Sequence, residues 1–275
     1  PDYLKHTFFI EGGSLAVENA LKVAFDWKIR KNIESGKGKE KGRKIIHFKQ
    51  AFHGRSGYTL SLTNTTDPRK TMYFPKFDWP RVTNPYIKFP MDNNDLDNVI
   101  KNEEKSISEI KDAIKKNPND IAAIIIEPIQ GEGGDNFFRN DFFNSLRSIA
   151  DENDILLIFD EVQTGIGITG KMWAHEHYDA RPDIICFAKK TQVGGILASK
   201  RIDEVKNNVF SESSRINSTF GGNLVDMIRF KIILEIIEEE NLLLNSKKVG
   251  KYLLENLLSL QSDYPAYITN ARGLG

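Results

Sequence analysis

The sequence predicts a three-layer α/β protein in which helices cover both faces of a mostly parallel β-sheet. Two apolar runs, at residues 121–126 and 155–159, lack the alternation of apolar and polar residues that marks a strand exposed on one face. Such runs are typical of strands covered on both faces. Segments with helical spacing of apolar residues alternate with these and other strand-like runs, and this βα alternation is typical of parallel sheets.

Short apolar segments bounded by glycine, proline or polar residues are the strand candidates. They lie at residues 7–10, 44–48, 121–126, 155–159, 184–187 and 195–198. Longer segments with helical periodicity predict helices. These lie at residues 14–32, 96–117, 141–153, 223–240 and 246–260. We expect a large domain at residues 1–245 and the beginning of a smaller domain at residues 246–275. The proline-rich and aromatic segment 69–90 predicts an ordered loop lying over a surface.

The composition limits the kind of partner that the protein can have. The chain has 275 residues, 40% of them hydrophobic, which is enough to build a large buried core. Lysine plus arginine and aspartate plus glutamate number 38 each, so the net charge gives no reason to expect nucleic acid or an anionic membrane as a partner. The glycine-lysine run at 35–44 is more simply a solvated loop than a polyanion site. We therefore expect small-molecule substrates.

The single cysteine and the chain ends bear on the compartment. Cys186 alone excludes an intramolecular disulfide framework and is typical of a reducing compartment. No apolar run reaches the roughly 18 residues of a membrane span, and the first residues lack a secretion signal. We therefore expect a cytoplasmic protein. The chain starts without methionine and stops abruptly at Gly275, so we expect an internal piece of a longer protein.

A turn between the first strand and the first helix is a candidate phosphate site. Gly12, Gly13 and Ser14 separate the two elements. Free backbone N–H groups at a helix N-terminus attract anions, and glycine lets the backbone approach closely. Ser14 can cap the helix and donate its hydroxyl to a phosphate oxygen. An ordinary cap after a tight turn explains the same residues, because the pattern fits neither a Walker loop nor a dinucleotide fingerprint.

The segment after the second strand carries an aromatic ring and a cation. Phe52 follows the strand at 44–48 and can stack on a flat cofactor, while Arg55 can hold a carboxylate through two hydrogen bonds. Phe52 could equally belong to the core and Arg55 to a surface ion pair. His53 is more simply a hydrogen-bonded structural histidine than a catalyst.

An acid and a lysine follow two later strands. Asp160 stands at the carboxyl end of a buried strand, where an unpaired charge is costly, and so needs a cationic partner. Lys189 follows the strand at 184–187, and a lysine in such a place can become an amine nucleophile. The protonated ring nitrogen of pyridoxal phosphate would pair with Asp160, and Lys189 would form its Schiff base. The two positions therefore predict a site for pyridoxal phosphate.

Neighbouring side chains leave one alternative at the Asp160 strand end. Gln163, three residues later, can reach the cofactor ring hydroxyl or the substrate. Asp160 and Glu161 could instead form a metal site of the Walker B kind. The sequence carries no Walker A segment upstream, so we predict no metal. The loop at 215–223 has hydroxyl and N–H donors that could hold a phosphate or merely cap the helix after it.

Six motifs, taken in order, resemble the class III aminotransferases, which depend on pyridoxal phosphate. They are Gly-Gly-Ser at 12–14, Phe-His-Gly-Arg at 52–55, Glu-Pro-Ile-Gln-Gly-Glu-Gly-Gly at 127–134, Phe-Asp-Glu-Val-Gln-Thr-Gly at 159–165, Ala-Lys at 188–189 and Ser-Thr-Phe-Gly-Gly-Asn at 218–223. The resemblance runs from about residue 7 to residue 275. Segments 16–22, 77–81, 189–193 and 217–219 are similar to the family members that act on the ε-amine of L-lysine.

The resemblance implies the fold type I of pyridoxal-phosphate-dependent transferases and a set of cofactor contacts. Lys189 would form the Schiff base and carry the proton, and Asp160 would pair with the pyridine nitrogen. Gly13 and Ser14 would bind the phosphate, and Phe52 would stack on the ring. These roles make Lys189 and Asp160 the catalytic residues.

The resemblance also implies substrate contacts and a homodimer. Gln163 would contact cofactor and substrate, and Arg55 would hold the α-carboxylate of L-lysine. Glu132 would neutralise an arginine, expected beyond Gly275, and release it for 2-oxoglutarate. Thr219 would reach the phosphate bound in the neighbouring subunit.

The implied reaction moves the ε-amino group of L-lysine to 2-oxoglutarate, giving 2-aminoadipate 6-semialdehyde and L-glutamate. Two alternatives stay open. One is an aminotransferase acting on ornithine, acetylornithine or 4-aminobutyrate, and the other is a non-catalytic protein that kept the fold.

Overall fold

A single seven-stranded sheet forms the centre of the protein. The computed structural model describes residues 2–275. The strands are β1 (Leu4–Ile10), β2 (Lys44–Phe48), β3 (Arg81–Val82), β4 (Ile121–Ile126), β5 (Leu156–Asp160), β6 (Ile184–Phe187) and β7 (Gly194–Ser199). Their order across the sheet is β1-β7-β6-β5-β4-β2-β3. The pairs from β3 to β6 are parallel, whereas β7 is antiparallel to both of its neighbours. The predicted mostly parallel sheet is confirmed.

Within residues 2–275, six α-helices accompany the sheet. They are α1 (Gly13–Glu34), α2 (Gly57–Leu62), α3 (Asn93–Lys116), α4 (Asn140–Glu152), α5 (Leu224–Glu239) and α6 (Leu242–Asp263). The five predicted helices and six predicted strands are all present, with ends that differ by four residues or fewer. The short elements α2 and β3 were not predicted.

The sheet is covered on both faces, as the runs without alternation indicated. In β5, Leu156 and Ile158 pack in a core with α1, whereas Leu157 and Phe159 pack in a second core with α3 and α4. Every residue of β4 and β5 is buried. Because burying one Leu, Ile or Phe side chain contributes about 1.5–3 kcal/mol, alternate residues of these strands stabilise two different layers. This arrangement confirms the three-layer architecture.

Two segments at the periphery complete the description. The predicted loop at 69–90 does lie over a surface: Phe77 and Trp79 stack with ring centroids 5.0 Å apart, and Trp79 contacts Phe25 of α1. Helices α5 and α6 contain no buried residue. The predicted boundary after residue 245 falls near the start of α6, and the division into two domains stays a prediction.

Candidate active site

A cavity of about 430 Å³ opens where the parallel strands β2, β4, β5 and β6 end. Ligands bind at this edge of open α/β sheets because the loops that leave the strands converge there. The lining residues come from the start of α1, from the last residue of β5 and from the segments that follow these four strands: Gly13, Ser14, Phe52, His53, Gly54, Arg55, Glu127, Glu132, Asp160, Val162, Gln163 and Lys189. The fold thus brings together every predicted site residue except Thr219.

Asp160 is buried at the end of β5 with both carboxylate oxygens occupied. Oδ2 lies 2.8 Å from Nδ1 of His53, and Oδ1 accepts a hydrogen bond from the N–H of Val162 at 3.0 Å. Within residues 2–275, no atom pairs with the buried Nε2 of His53. The sequence identified Asp160 but left His53 as a structural residue, because nothing in a sequence pattern links positions 107 residues apart.

Glu127 is a second buried carboxyl group in the lining, and sequence reasoning gave it no role. Its Oε1 accepts a hydrogen bond from the N–H of Phe52 at 2.9 Å, and its Oε2 accepts one from the N–H of Gly131 at 3.4 Å. Burial raises the pKa of Glu127 to about 7. Its side chain therefore joins the segment after β2 to the segment after β4. Its position directly after a buried strand, like that of Asp160, is the signal that could have identified it.

The candidate phosphate site differs in one detail from the prediction. Gly12, with φ of 83°, is the N-cap of α1, and no side chain caps this helix. The predicted capping by Ser14 is wrong because Ser14 lies inside the first turn. Its Oγ instead lies 2.6 Å from Oγ of Ser56 and 2.8 Å from Oγ1 of Thr59. This hydroxyl cluster stands beside the N-terminus of α1, where an anion is favoured.

Steric space around the candidate phosphate site requires glycine at two positions. A Cβ on Gly13 would meet a methyl carbon of Val162 at 2.6 Å, and one on Gly54 would meet Oγ of Ser14 at 2.4 Å. Gly54 also has φ of 126°, which disfavours any side chain. The two glycines keep the α1 N-terminus open toward the cavity.

Lys189 and its neighbour Lys190 both bind Gln163. Nζ of Lys189 donates to Oε1 of Gln163, and Nζ of Lys190 donates to the backbone carbonyl of Gln163 at 2.6 Å. Burial, followed by the charge of Lys189, lowers the pKa of Lys190. Lys189 has φ of 38°, an uncommon value for a residue with a side chain. The strand end of β5 and the turn after β6 are therefore tied together at Gln163.

Arg55, Glu132 and Lys189 are the exposed charged groups of the lining. Arg55 is exposed, and in the described part of the chain its guanidinium takes part in no hydrogen bond or ion pair, so it is available to a carboxylate ligand. The alternative of a surface ion pair for Arg55 is not supported. Glu132 forms an ion pair with Lys70, a partner that the sequence did not indicate.

The metal alternative is not supported by the direction of Glu161. Its carboxylate accepts hydrogen bonds from the N–H groups of Ala174 at 2.6 Å and His175 at 2.9 Å, away from the oxygens of Asp160. Among residues 2–275, no group of three or more His, Cys, Asp or Glu side chains is arranged to hold a metal ion. Glu161 anchors the turn at residues 174–175 instead.

Thr219 lies outside the cavity, on the loop between β7 and α5. Its side chain is exposed. On the same loop, the Asn223 side chain accepts a hydrogen bond from the N–H of Val225 at 2.9 Å and caps α5.

Within the described residues, no helix is both long and apolar enough to cross a membrane.

Comparison with known proteins gives matches over nearly the whole chain. Residues 2–275 match the family model for class III aminotransferases. Proteins named L-lysine-epsilon aminotransferase from Mycobacterium tuberculosis (strain ATCC 25618 / H37Rv) and Amycolatopsis lactamdurans are 52% and 46% identical to 99% of the chain. The mitochondrial 4-aminobutyrate aminotransferase of Mus musculus is 36% identical over 96% of the chain and is covered over 55% of its length.

A solved structure extends the likeness to three dimensions. The lysine aminotransferase from M. tuberculosis superposes with a TM-score of 0.96 and 51% identity, covering 100% of this chain and 62% of that one. The chain spans 60% of the length of the two lysine-named curated relatives. It belongs to the class III aminotransferase family.

Proposed function

We propose that this chain forms the cofactor site of a pyridoxal-phosphate-dependent enzyme that moves the ε-amino group of L-lysine to 2-oxoglutarate. The products would be 2-aminoadipate 6-semialdehyde and L-glutamate. The observation that carries this proposal is the convergence of Asp160, Lys189 and Arg55 on one cavity at the strand ends. The relatives named for lysine, at 52% and 46% identity, favour lysine as amino donor over the substrates of other family members.

The residues of the cavity fit pyridoxal phosphate. Its charged ring nitrogen suits the buried carboxylate of Asp160, its phosphate suits the open α1 N-terminus at Gly13 with the Ser14 hydroxyl, and its flat ring suits Phe52. When bound, this cofactor supplies an electron sink for the C–H bond that breaks next to the amine. The lining thus offers one group for each part of the cofactor.

Two side chains, Lys189 and Gln163, would act at the reacting end of the substrate. Nζ of Lys189 would act as the amine nucleophile and then as the carrier of the proton. Nζ of Lys189 donates to Oε1 of Gln163, and this contact would orient the amine beside the segment that follows β5. Fixing the reacting atom before the reaction lowers the entropic part of the barrier.

Arg55 would orient the donor. A guanidinium binds a carboxylate with two parallel hydrogen bonds, and the Arg55 side chain is unoccupied within the described residues. Holding the α-carboxylate of lysine at Arg55 leaves the ε-amine, at the other end of the molecule, to reach Lys189. A donor with a shorter chain between its carboxylate and its amine would reach less well.

The proposal extends to a homodimer with shared sites and to two domains. Thr219 is exposed and lies outside the cavity of its own chain, which is consistent with a contact to the cofactor phosphate bound in a neighbouring subunit. Apolar side chains of α5 and α6 are exposed, among them Leu224 at 80% and Tyr252 at 70%. The smaller domain or a second subunit would cover these side chains. On this proposal residues 246–275 begin the smaller domain. A cytoplasmic location stays a prediction.

Amino transfer from L-lysine to 2-oxoglutarate by the intact protein with cofactor bound tests the proposal. We expect glutamate and the semialdehyde to form in equal amounts, and lysine to be a better donor than ornithine, acetylornithine or 4-aminobutyrate. The second candidate, a 4-aminobutyrate aminotransferase, is suggested by the 36% identical relative. It predicts that 4-aminobutyrate is a better amino donor than L-lysine. Cofactor binding without transfer from any donor would support a non-catalytic protein.

A further inference from the structure

The loop that carries Thr219 is tied to α1 by ion pairs. Asp26 lies on α1, and its side chain is only 5% exposed. One carboxylate oxygen accepts a hydrogen bond from Nε of Arg30 at 2.9 Å, and the other accepts one from Nη2 of Arg215, on the loop. Nη2 of Arg30 also donates to Oε2 of Glu212 at 2.7 Å. Two residues of the loop, Glu212 and Arg215, are thus held against the helix.

The other side of Thr219 is held against β1. A Cβ on Gly221 would meet Cδ1 of Ile10 at 3.1 Å and the carbonyl oxygen of Phe9 at 3.2 Å, so the loop backbone lies directly on the strand. Residues 217–220, between the two attachments, are exposed. The exposed segment is therefore short and fixed at both ends, and it presents Thr219 to solvent outside the cavity of its own chain.

The partners of Asp26 differ in what they hold. A buried carboxylate needs charged or hydrogen-bonded partners, and Asp26 has two arginines. Arg30 is on the same helix as Asp26, whereas Arg215 comes from the loop and has a side chain that is 47% exposed. If Arg215 is replaced, Asp26 keeps Arg30, so no unpaired buried charge results. Loss of Arg215 should therefore loosen the loop with little effect on the rest of the fold.

We propose that the ion pair between Asp26 and Arg215 positions Thr219 for the cofactor phosphate bound in the neighbouring subunit. This inference rests on the proposed function, specifically on a homodimer with shared sites. A hydroxyl group binds a phosphate oxygen only within hydrogen-bond distance, and a loop that is ordered before the ligand arrives loses less entropy on binding. Arg215 is therefore a positioning residue for the cavity of the neighbouring subunit.

Two hybrid dimers of the intact protein test the proposal, because they contain the same substitutions in different arrangements. In the first, one subunit carries both Arg215→Gln and Lys189→Met, and the other is unmodified. In the second, one subunit carries Arg215→Gln and the other carries Lys189→Met. Each hybrid keeps Lys189 in one cavity, and only that cavity can fix the cofactor on borohydride reduction. The amount fixed at increasing concentrations of pyridoxal phosphate gives the Kd of that cavity.

The two hybrids should differ in this Kd. In the first hybrid, the cavity that keeps Lys189 receives the loop with Arg215→Gln, so its Kd should rise about two- to tenfold, the size expected when one hydrogen bond is weakened. In the second hybrid, that cavity receives a loop with Arg215 intact, and its Kd should be unchanged. A general loss of stability would affect both hybrids alike. Equal Kd values, or the higher value in the second hybrid, would overturn the proposal.

Lys22→Gln in the same two arrangements is the matched control. Lys22 is exposed on α1 and lines the same surface cleft as Arg215. Its replacement removes the same charge without releasing the loop, so the two Kd values should be equal. A difference as large as that of Arg215→Gln would mean a general charge effect and would contradict the proposal. Arg215→Lys keeps a cation for Asp26 and should give a smaller difference. This milder substitution replaces Arg215→Gln if those subunits assemble poorly.

Amino transfer by the unmodified protein separates this inference from the proposed function. Absence of transfer from L-lysine would overturn the proposed donor but would leave the difference between the hybrids. A protein that forms no dimer would overturn the role of Arg215, whatever its amino donor.

Discussion

Asp160 Oδ2 lies 2.8 Å from Nδ1 of His53, and both side chains are buried at the edge of the sheet. The other oxygen of Asp160 accepts a hydrogen bond from the N–H of Val162. Two partners fix the plane of the carboxylate, and a buried carboxylate without them would be costly. His53 therefore stabilises the acid on which the proposed cofactor site depends.

Replacing His53 should weaken both the fold and the cofactor site. In His53→Ala, Asp160 loses a buried hydrogen-bond partner, which we expect to lower the free energy of unfolding by about 1–3 kcal/mol. His53→Asn should recover part of the loss because its amide can donate to the same oxygen. Urea unfolding and the Kd for pyridoxal phosphate are the measurements.

The control for His53 is a second histidine–aspartate pair of similar geometry. His6 lies 2.9 Å from Asp203, but this pair is partly exposed. His6→Asn should change the free energy of unfolding by less than about 1 kcal/mol and leave the Kd for the cofactor unchanged. Equal losses in His6 and His53 variants would contradict the role given to burial.

Strands were predictable where one physical cause dominates. β4 was predicted with its observed bounds, 121–126, because burial on both faces demands an unbroken apolar run. α2 was missed because Tyr58, Leu60 and Leu62 alternate with polar residues, a strand-like pattern. The helix forms because the Thr59 hydroxyl accepts from the N–H of Ser56, with Leu60 and Leu62 buried. Local hydrogen bonds and tertiary packing thus prevail over periodicity.

The site was predictable to the extent that position along the chain implies position on the sheet. Asp160 and Lys189 follow parallel or neighbouring strands, so their convergence follows from the topology. The partners of these residues were not predictable: the pairs His53–Asp160 and Lys70–Glu132 join residues 107 and 62 positions apart through loops. Loop conformation depends on tertiary contacts that leave no periodic signal.

Glu127 should make stability depend on pH near neutrality. Its folded-state pKa, about 7, is above its ordinary value of 4.5 because of burial. The stabilisation from this group is therefore complete below about pH 4.5 and is lost as the pH rises through about 7. In Glu127→Gln, which keeps an acceptor for the N–H of Phe52, this loss is absent.

Unfolding measured from pH 5 to pH 8 checks the role of Glu127. Relative to the unmodified protein, Glu127→Gln should gain on the order of 1–3 kcal/mol across this range. Glu104→Gln, on the exposed side of α3, is the control and should give a parallel curve. If the Glu127→Gln curve were also parallel, the carboxyl group would have to be ionised throughout.

Lys189 and Lys190 should differ in one chemical property although both bind Gln163. Borohydride reduction of the cofactor-loaded protein should fix the cofactor on the peptide that contains Lys189, and Lys189→Met should abolish both this adduct and amino transfer. Lys190→Met should keep the adduct, because that lysine binds the backbone carbonyl of Gln163. We expect it to lose about 0.5–1.5 kcal/mol of stability. An adduct on Lys190 in the unmodified protein would reverse the assignment.

Gly13 and Gly12 should resist substitution for two different reasons. A Cβ on Gly13 meets Val162 at 2.6 Å, whereas one on Gly12 meets nothing within 4 Å but has φ of 83°. Gly13→Ala should therefore cost about 1–3 kcal/mol through overpacking, and Gly12→Ala a similar amount through backbone strain. Both changes should weaken cofactor binding, since both residues shape the α1 N-terminus.

Val162→Ala separates these two causes. Removing its methyl groups makes room for the new Cβ at position 13, so Val162→Ala should recover at least about 0.5 kcal/mol in the Gly13→Ala background. It should recover nothing in the Gly12→Ala background, because backbone strain does not depend on Val162. Urea unfolding of the single and double variants measures the coupling. Equal recovery in both backgrounds would show that Val162 acts on the phosphate site as a whole, and that the contact with Gly13 is not what requires glycine there.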